Sequence, residues 1–325
     1  MKVKWKAYRY RLEKWGCDVL ERWIPRLSYR AFSALAQVAG SVAYWLDAKS
    51  RHIALENLRV VFGDRLSATQ KRRIARLSFE NFAQAMLSLF WSSGFGESEM
   101  RRWVKTEGFA HLCALAREKK CGVVFACAHF GNWELAAMSA QIHEMPVQIL
   151  AENFKNATLD EIFARLRGRG YHEVIRQDRS FLKLLRRALR GQHCALLADL
   201  TVPPSQAAVR VRAFPRGGEA LEICCTRLPA VVAMRAKALV VPALAHPRAD
   251  GSCEVRAIAP FDACDFESEE QMTQAIWENV EQAILKAPHL WLWSYKHFRY
   301  KPKEARREYP DYAIFHPDFE ATARA

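Results

Sequence analysis

A histidine that closes an apolar run, with a carboxylate five residues on, has the makings of a device for taking a proton from a hydroxyl. An alcohol is a poor nucleophile until a positioned base does this. Here the pair is His129 and Glu134, within Val123-Val124-Phe125-Ala126-Cys127-Ala128-His129-Phe130-Gly131-Asn132-Trp133-Glu134-Leu135. Spacing alone is weak: with 35 acids in 325 residues, about one of the ten histidines would have an acid at that offset by accident, and only His129 does. The context discriminates. A β-rich run precedes the histidine, Gly131 and Asn132 mark a turn, and Leu135, Met138 and Ile142 give the following segment an apolar helical face. The plain structural alternative is a strand-end histidine that caps a helix, with Glu134 in a first turn where the helix dipole favours it anyway.

The elements that must hold this pair are legible in outline. Residues 1–118 read as helical, with Ser67 as N-cap of a helix running to about Trp91 and ended by Ser93-Gly94. From Cys121 short β-branched or apolar runs alternate with helical periods. The expected strands are Val123–Ala128, Val147–Ala151, Glu173–Ile175, Cys194–Ala198, Val231–Ala233, Val240–Ala245 and Val255–Ala259. Helices are expected at Leu159–Arg167, Phe181–Leu189 and about Glu269–Leu285. The alternation predicts an α/β fold with a mixed, mainly parallel sheet flanked by helices. Chemistry in such sheets gathers at the carboxyl ends of strands. His129 lies at one such end, and Asp199, after Cys194-Ala-Leu-Leu-Ala, at another.

Charge and cysteine usage narrow the function classes. The formal net charge is +14, and residues 1–30 hold nine Lys or Arg against three acids, interleaved with Trp5, Tyr8, Tyr10, Trp15 and Trp23. Cations mixed with amphipathic rings suit the headgroup layer of an anionic membrane. Nucleic acid is not expected as a partner, because no helix-turn-helix, zinc finger or RNA-binding aromatic motif accompanies the charge; a merely solvated basic face is the bland reading. The uncharged run Ala31–Leu46, as a helix, would be about 24 Å long against a hydrocarbon core of roughly 30 Å. It reads as an amphipathic or shallowly inserted helix, or equally as a core helix, and not as a signal peptide. Nine cysteines without a Cys-x-x-Cys pair read as reduced thiols and no metal site. Cys127 alternates onto the same side as His129 but reads as a structural thiol rather than a nucleophile.

The chain resembles the lipid A biosynthesis acyltransferases, the lauroyl/myristoyl-type enzymes of the lysophospholipid acyltransferase superfamily. His129-Phe-Gly-Asn-Trp-Glu134 looks like their His-x4-Asp/Glu block. The segment from His52 through Asn57-Leu58 to Phe62-Gly63 is similar to their upstream Asn-Leu segment. Asn156-Ala-Thr-Leu-Asp160, continuing to Arg165-Leu-Arg167-Gly-Arg169, looks like their Asn-x-x-Leu-Asp stretch and supporting arginine. Ala198-Asp199 sits where the family has Ala-Asp-Gln; Pro229-Ala230, Arg235 and Val240-Val241-Pro242 follow in order, and Trp291-Leu-Trp293 through Tyr300 is similar to the closing motif. The similarity runs from about residue 50 to 303. Leu200 and Leu228 replace the family's Gln and Gly, and 205–227 departs from its usual loop.

The resemblance implies an O-acyltransferase that moves a fatty acyl chain from a thioester of acyl carrier protein to a hydroxyl of an anionic glycolipid, a lipid A precursor, with no cofactor. The cytoplasmic face of the inner membrane is the implied location. His129 would be the base and Glu134 its orienting acid. Arg167, with Arg165 and Arg169 as alternates, would meet the oxyanion, assisted by turn amides after His129. Asp199 would position Arg167 or the acceptor, and Asn132, Arg165 and Arg169 would contact substrate. Residues 1–50 are expected to dock on a membrane, 51–310 to form the acyltransferase domain and 311–325 a tail. Another glycolipid or phospholipid acceptor, or an inactive basic membrane- or nucleic-acid-binding protein on the same fold, are the alternatives.

Overall fold

The computed structural model describes residues 2–151, 156–168, 173–176, 180–257 and 259–324. Five helices come first: α1 (Lys2–Trp23), α2 (Tyr29–Leu46), α3 (Ala48–Phe62), α4 (Ala68–Trp91) and α5 (Glu97–Trp103). Strand β1 (Val104–Glu107) and α6 (Phe109–Glu118) lead to an alternating series: β2 (Val123–Cys127), α7 (Trp133–Ile142), β3 (Val147–Ala151), α8 (Ala157–Arg167), β4 (Glu173–Arg176), α9 (Ser180–Ala188) and β5 (His193–Leu197). A hairpin, β6 (Ala208–Arg216) and β7 (Glu219–Thr226), precedes α10 (Leu228–Ala236), β8 (Leu239–Pro247), β9 (Cys253–Ala257), β10 (Phe261–Asp262) and α11 (Glu269–Lys286). Two short strands, β11 (Tyr300–Lys301) and β12 (Ile314–Phe315), close the order.

The main sheet runs β1-β9-β8-β2-β5-β3-β4, with β10 on the edge of β8. Every pair on this path is parallel except β8–β9. A parallel sheet is covered on both faces, so its strands read as continuous apolar runs. In β2, Val123 and Phe125 enter a core with Phe90 of α4 and Leu135 of α7, while Val124 and Ala126 enter one with Leu184 of α9 and Ile276 of α11. A third core packs α3 and α4 against the β6–β7 hairpin, Trp277, Trp291 and Trp293.

Two expectations are corrected, and one element is added. Val231–Ala233 is helical, inside α10, where Pro229 occupies the first turn and alanines flank the β-branched pair. Residues 104–107 are a strand, not helix, created by parallel pairing with β9. The hairpin went unread although Val209-Arg-Val-Arg212 alternates and Gly217-Gly218 supplies its turn, both with positive φ.

The expected cap is present: Ser67 Oγ accepts from the Gln70 amide, and Gln70 returns a bond to the Ser67 amide. Helix α2 carries apolar residues on both a buried and an exposed side. Phe32, Ala36, Gly40 and Tyr44 are buried, whereas Leu35, Val38, Val42, Trp45 and Leu46 are exposed. Gly40 permits close packing on α4, because a Cβ there would stand 2.3 Å from Glu80 Cα. In α1, Tyr8, Leu12, Trp15, Val19 and Trp23 are also exposed, at the three- and four-residue spacing of one helical face. No described helix is long and apolar enough to cross a membrane.

Candidate active site

Strands β2 and β5 are parallel neighbours in which Cys127 lies opposite Leu197. His129 and Asp199 each lie two residues further on, so the register sets them side by side at the carboxyl edge of the sheet. The Asp199 carboxylate is buried. Its Oδ1 accepts from His129 Nδ1 at 2.9 Å, and its Oδ2 accepts from the His129 amide at 3.0 Å and from the Trp291 indole N–H at 2.8 Å. Because a carboxylate only accepts, the bonded Nδ1 carries hydrogen and Nε2 keeps its lone pair. Burial alone would raise the Asp199 carboxyl, but the facing His129, with His297 and the Trp291 indole, holds it below the ordinary carboxylate range.

This arrangement corrects the expected roles of both acids. Glu134 does not orient the imidazole: its two oxygens take a fork from Arg167, Nε to Oε2 at 3.0 Å and Nη2 to Oε1 at 2.6 Å. Asp199 is the acid on His129, not a support for Arg167. The reason lies in helix phase. Trp133, which opens α7, turns its ring edge-on to His129 at 5.2 Å. The next residue is about 100° further round the helix, and Glu134 therefore faces α8. Burial opposes the charge on Arg167, yet the Glu134 carboxylate keeps the guanidinium above its usual range.

The remaining candidates divide. The Phe130 amide donates to Ala128 and the Gly131 amide to Leu290, so these turn N–H groups are engaged rather than aimed at an oxyanion. Asn132 works inside the protein: its Oδ1 caps α7 through the Leu135 amide and accepts from Ser88 Oγ. Arg165 points to α1, where it meets Glu21 at 2.5 Å on a largely exposed face. Arg169 lies outside the described residues. Burial, with Asp199 adding to it, pushes the Cys127 thiol up to about 12, the opposite of what a thiolate nucleophile needs.

Several positioning groups escaped the reading of His129 and Glu134. Gly131 has φ +59°, and a Cβ there would stand 1.8 Å from the Ala245 carbonyl, so only glycine lets the turn lie against β8. The segment 288–298 is laid over this turn. The Leu292 amide donates to the His129 carbonyl, and Asn81 Nδ2 bridges the Gly131 and Leu290 carbonyls. Ser78 donates to the Trp291 carbonyl, and Asn57 Nδ2 holds the Trp293 and Tyr295 carbonyls, both at 2.8 Å. The Asn-Leu segment and the tryptophan-rich motif are thus two halves of one clamp. A cavity of about 510 Å³ between the hairpin and residues 302–324 contains none of these residues; charged groups line it, among them Arg210, which pairs with both Glu222 and Glu320.

Residues 5–300 match the model of a family described as bacterial lipid A biosynthesis acyltransferase. A relative named lipid A biosynthesis acyltransferase, from Haemophilus influenzae, is 24% identical over 255 residues, 78% of each chain. One named lipid A biosynthesis lauroyltransferase, from Escherichia coli K12, is 24% identical over 306 residues, 93% of this chain and 95% of that one. The crystal structure of the 1-acyl-sn-glycerophosphate (LPA) acyltransferase PlsC from Thermotoga maritima aligns with TM-score 0.39 and 13% identity, covering 81% of this chain and 99% of that one.

Proposed function

The chain belongs to the bacterial lipid A biosynthesis acyltransferase family, and we propose that it carries a fatty acyl group from an acyl carrier protein thioester to a hydroxyl of a lipid A precursor. The observation that carries this reading is the imidazole of His129, fixed through Nδ1 on buried Asp199 with Nε2 left as acceptor. Nε2 takes the hydroxyl proton as the oxygen bonds to the thioester carbonyl carbon, whose π pair becomes an oxyanion. Re-forming the carbonyl breaks the C–S bond, and the imidazolium returns its proton to the departing sulfur. Arg167 has two of its donors on Glu134, and Nη1 is the one that would meet the oxyanion.

The exposed stripes of α1 and α2 fit a peripheral seat on an anionic membrane, where the lipid acceptor is held. Trp and Tyr lie along them, and Arg11, Arg22, Arg26 and Arg30 supply positive charge in and beside these helices. The test is acyl transfer by purified enzyme, with acyl carrier protein thioesters of several lengths and candidate glycolipids in vesicles, read by mass spectrometry. His129→Ala, with its fold verified by circular dichroism, should lose at least about two orders of magnitude in kcat. Near-full activity in that variant ends the base assignment, and product on a different glycolipid replaces the acceptor.

A further inference from the structure

We propose that Trp291, backed by His297, is a positioning residue for the acyl transfer: its indole N–H and the His129 amide together fix Oδ2 of Asp199, so that Oδ1 stays on His129 Nδ1. This rests on the reading of His129 as base. A carboxylate with one donor on each oxygen can rotate and trade them. Among the described residues, Asp199 has two donors on Oδ2, at 3.0 and 2.8 Å, and the imidazole alone on Oδ1. The rotation of the Asp199 carboxylate, and with it the seat of the imidazole, is therefore set by an indole that comes from a distant part of the chain.

Trp291 is itself held without freedom. It is fully buried, and its ring stacks on His297 with centroids 3.8 Å apart and meets Trp293 edge-on at 4.7 Å. His297 is equally buried. Its Nε2 donates to the Leu292 carbonyl at 2.7 Å, while Nδ1 is buried with no hydrogen-bond partner among the described residues. An unpaired buried nitrogen is costly, and a phenylalanine would fill the space without it. The imidazole nevertheless closes the loop from Leu292 back to the Trp291 ring. The groups facing Asp199 are His129, His297 and the thiols of Cys127 and Cys225. Burial lowers the His297 value to about 4, so this ring stays neutral at working pH and does not compete with His129 for the carboxylate charge.

The test is Trp291→Phe in the full-length enzyme, which removes the donor and keeps an aromatic ring, assayed beside His129→Ala. Expected for Trp291→Phe are a kcat lower by about 10- to 100-fold, a donor KM within about twofold, and an acidic limb of the kcat/KM profile moved upward, because a carboxylate relieved of one donor holds the imidazolium more strongly. Wild-type-like kcat and limb, with His129→Ala inactive, overturn the positioning role and leave the base standing. An active His129→Ala overturns both. Should Trp291→Phe not fold, hydrogen exchange of the wild-type Trp291 indole proton decides: strong protection is expected, and exchange at the rate of a surface tryptophan overturns the proposal.

Discussion

Two buried carboxylates stand at the carboxyl edge of this sheet, and their surroundings differ in kind. Glu134 is clasped by a guanidinium that is charged at every accessible pH, so its own charge is always compensated. Asp199 accepts from an imidazole, an indole and an amide, none of which need carry charge. Its compensation is complete only when His129 holds a second proton. The first pair is a fixed fastening between α7 and α8. The second gains most at the moment a proton arrives, which is the asymmetry a transition state requires. Equal burial thus says little about role; the partner's ability to change charge says more.

The difference is exposed most sharply by Asp199→Asn. The amide has similar size but no charge for the imidazolium, and it can present a donor to Nδ1. A loss of about three to four orders of magnitude in kcat is expected, with the urea midpoint little changed. A variant within tenfold of wild type would make Asp199 merely another fastening. Arg167→Met addresses the other pair. It strands Glu134 in a buried site, so stability should fall by about 3–5 kcal/mol in urea unfolding at neutral pH. Retained stability would mean that Glu134 finds solvent or another cation. Smallest is Cys127→Ser: turnover within about twofold of wild type is expected, since a thiol near 12 takes no part in the chemistry. Abolished turnover in a folded Cys127→Ser protein would instead demand a covalent acyl-enzyme.

Reading the residues in order located the participants better than their partnerships. β3 was bounded correctly, and β2 and β5 to within a residue, because central parallel strands are apolar on both faces and need no partner to be recognised. His129 and Asp199 meet at the strand ends, and Arg167 meets Glu134. What failed was the pairing. Spacing suggested Glu134 for His129, whereas helix phase and strand register made that choice, and neither is visible until the sheet order is known. The same holds for β1, whose four residues become a strand only beside β9. Asn57 and Trp291 carried a family likeness but no physical meaning, because the clamp they form spans more than two hundred residues. Arg165 was legible only as a cation, until the fold set it against Glu21 in α1.

The clamp over the Gly131 turn also imposes an order on biosynthesis. His129 and Asp199 are translated well before residues 288–298, which bring the indole and the hydrogen bonds from Leu290 and Leu292. A nascent chain therefore has the base and its acid before it has the part that holds them in register. Helices α1 and α2, with their exposed apolar and aromatic faces, are translated earlier still. A chain stalled or cleaved ahead of residue 288 would have the base and its acid without the indole that holds them in register.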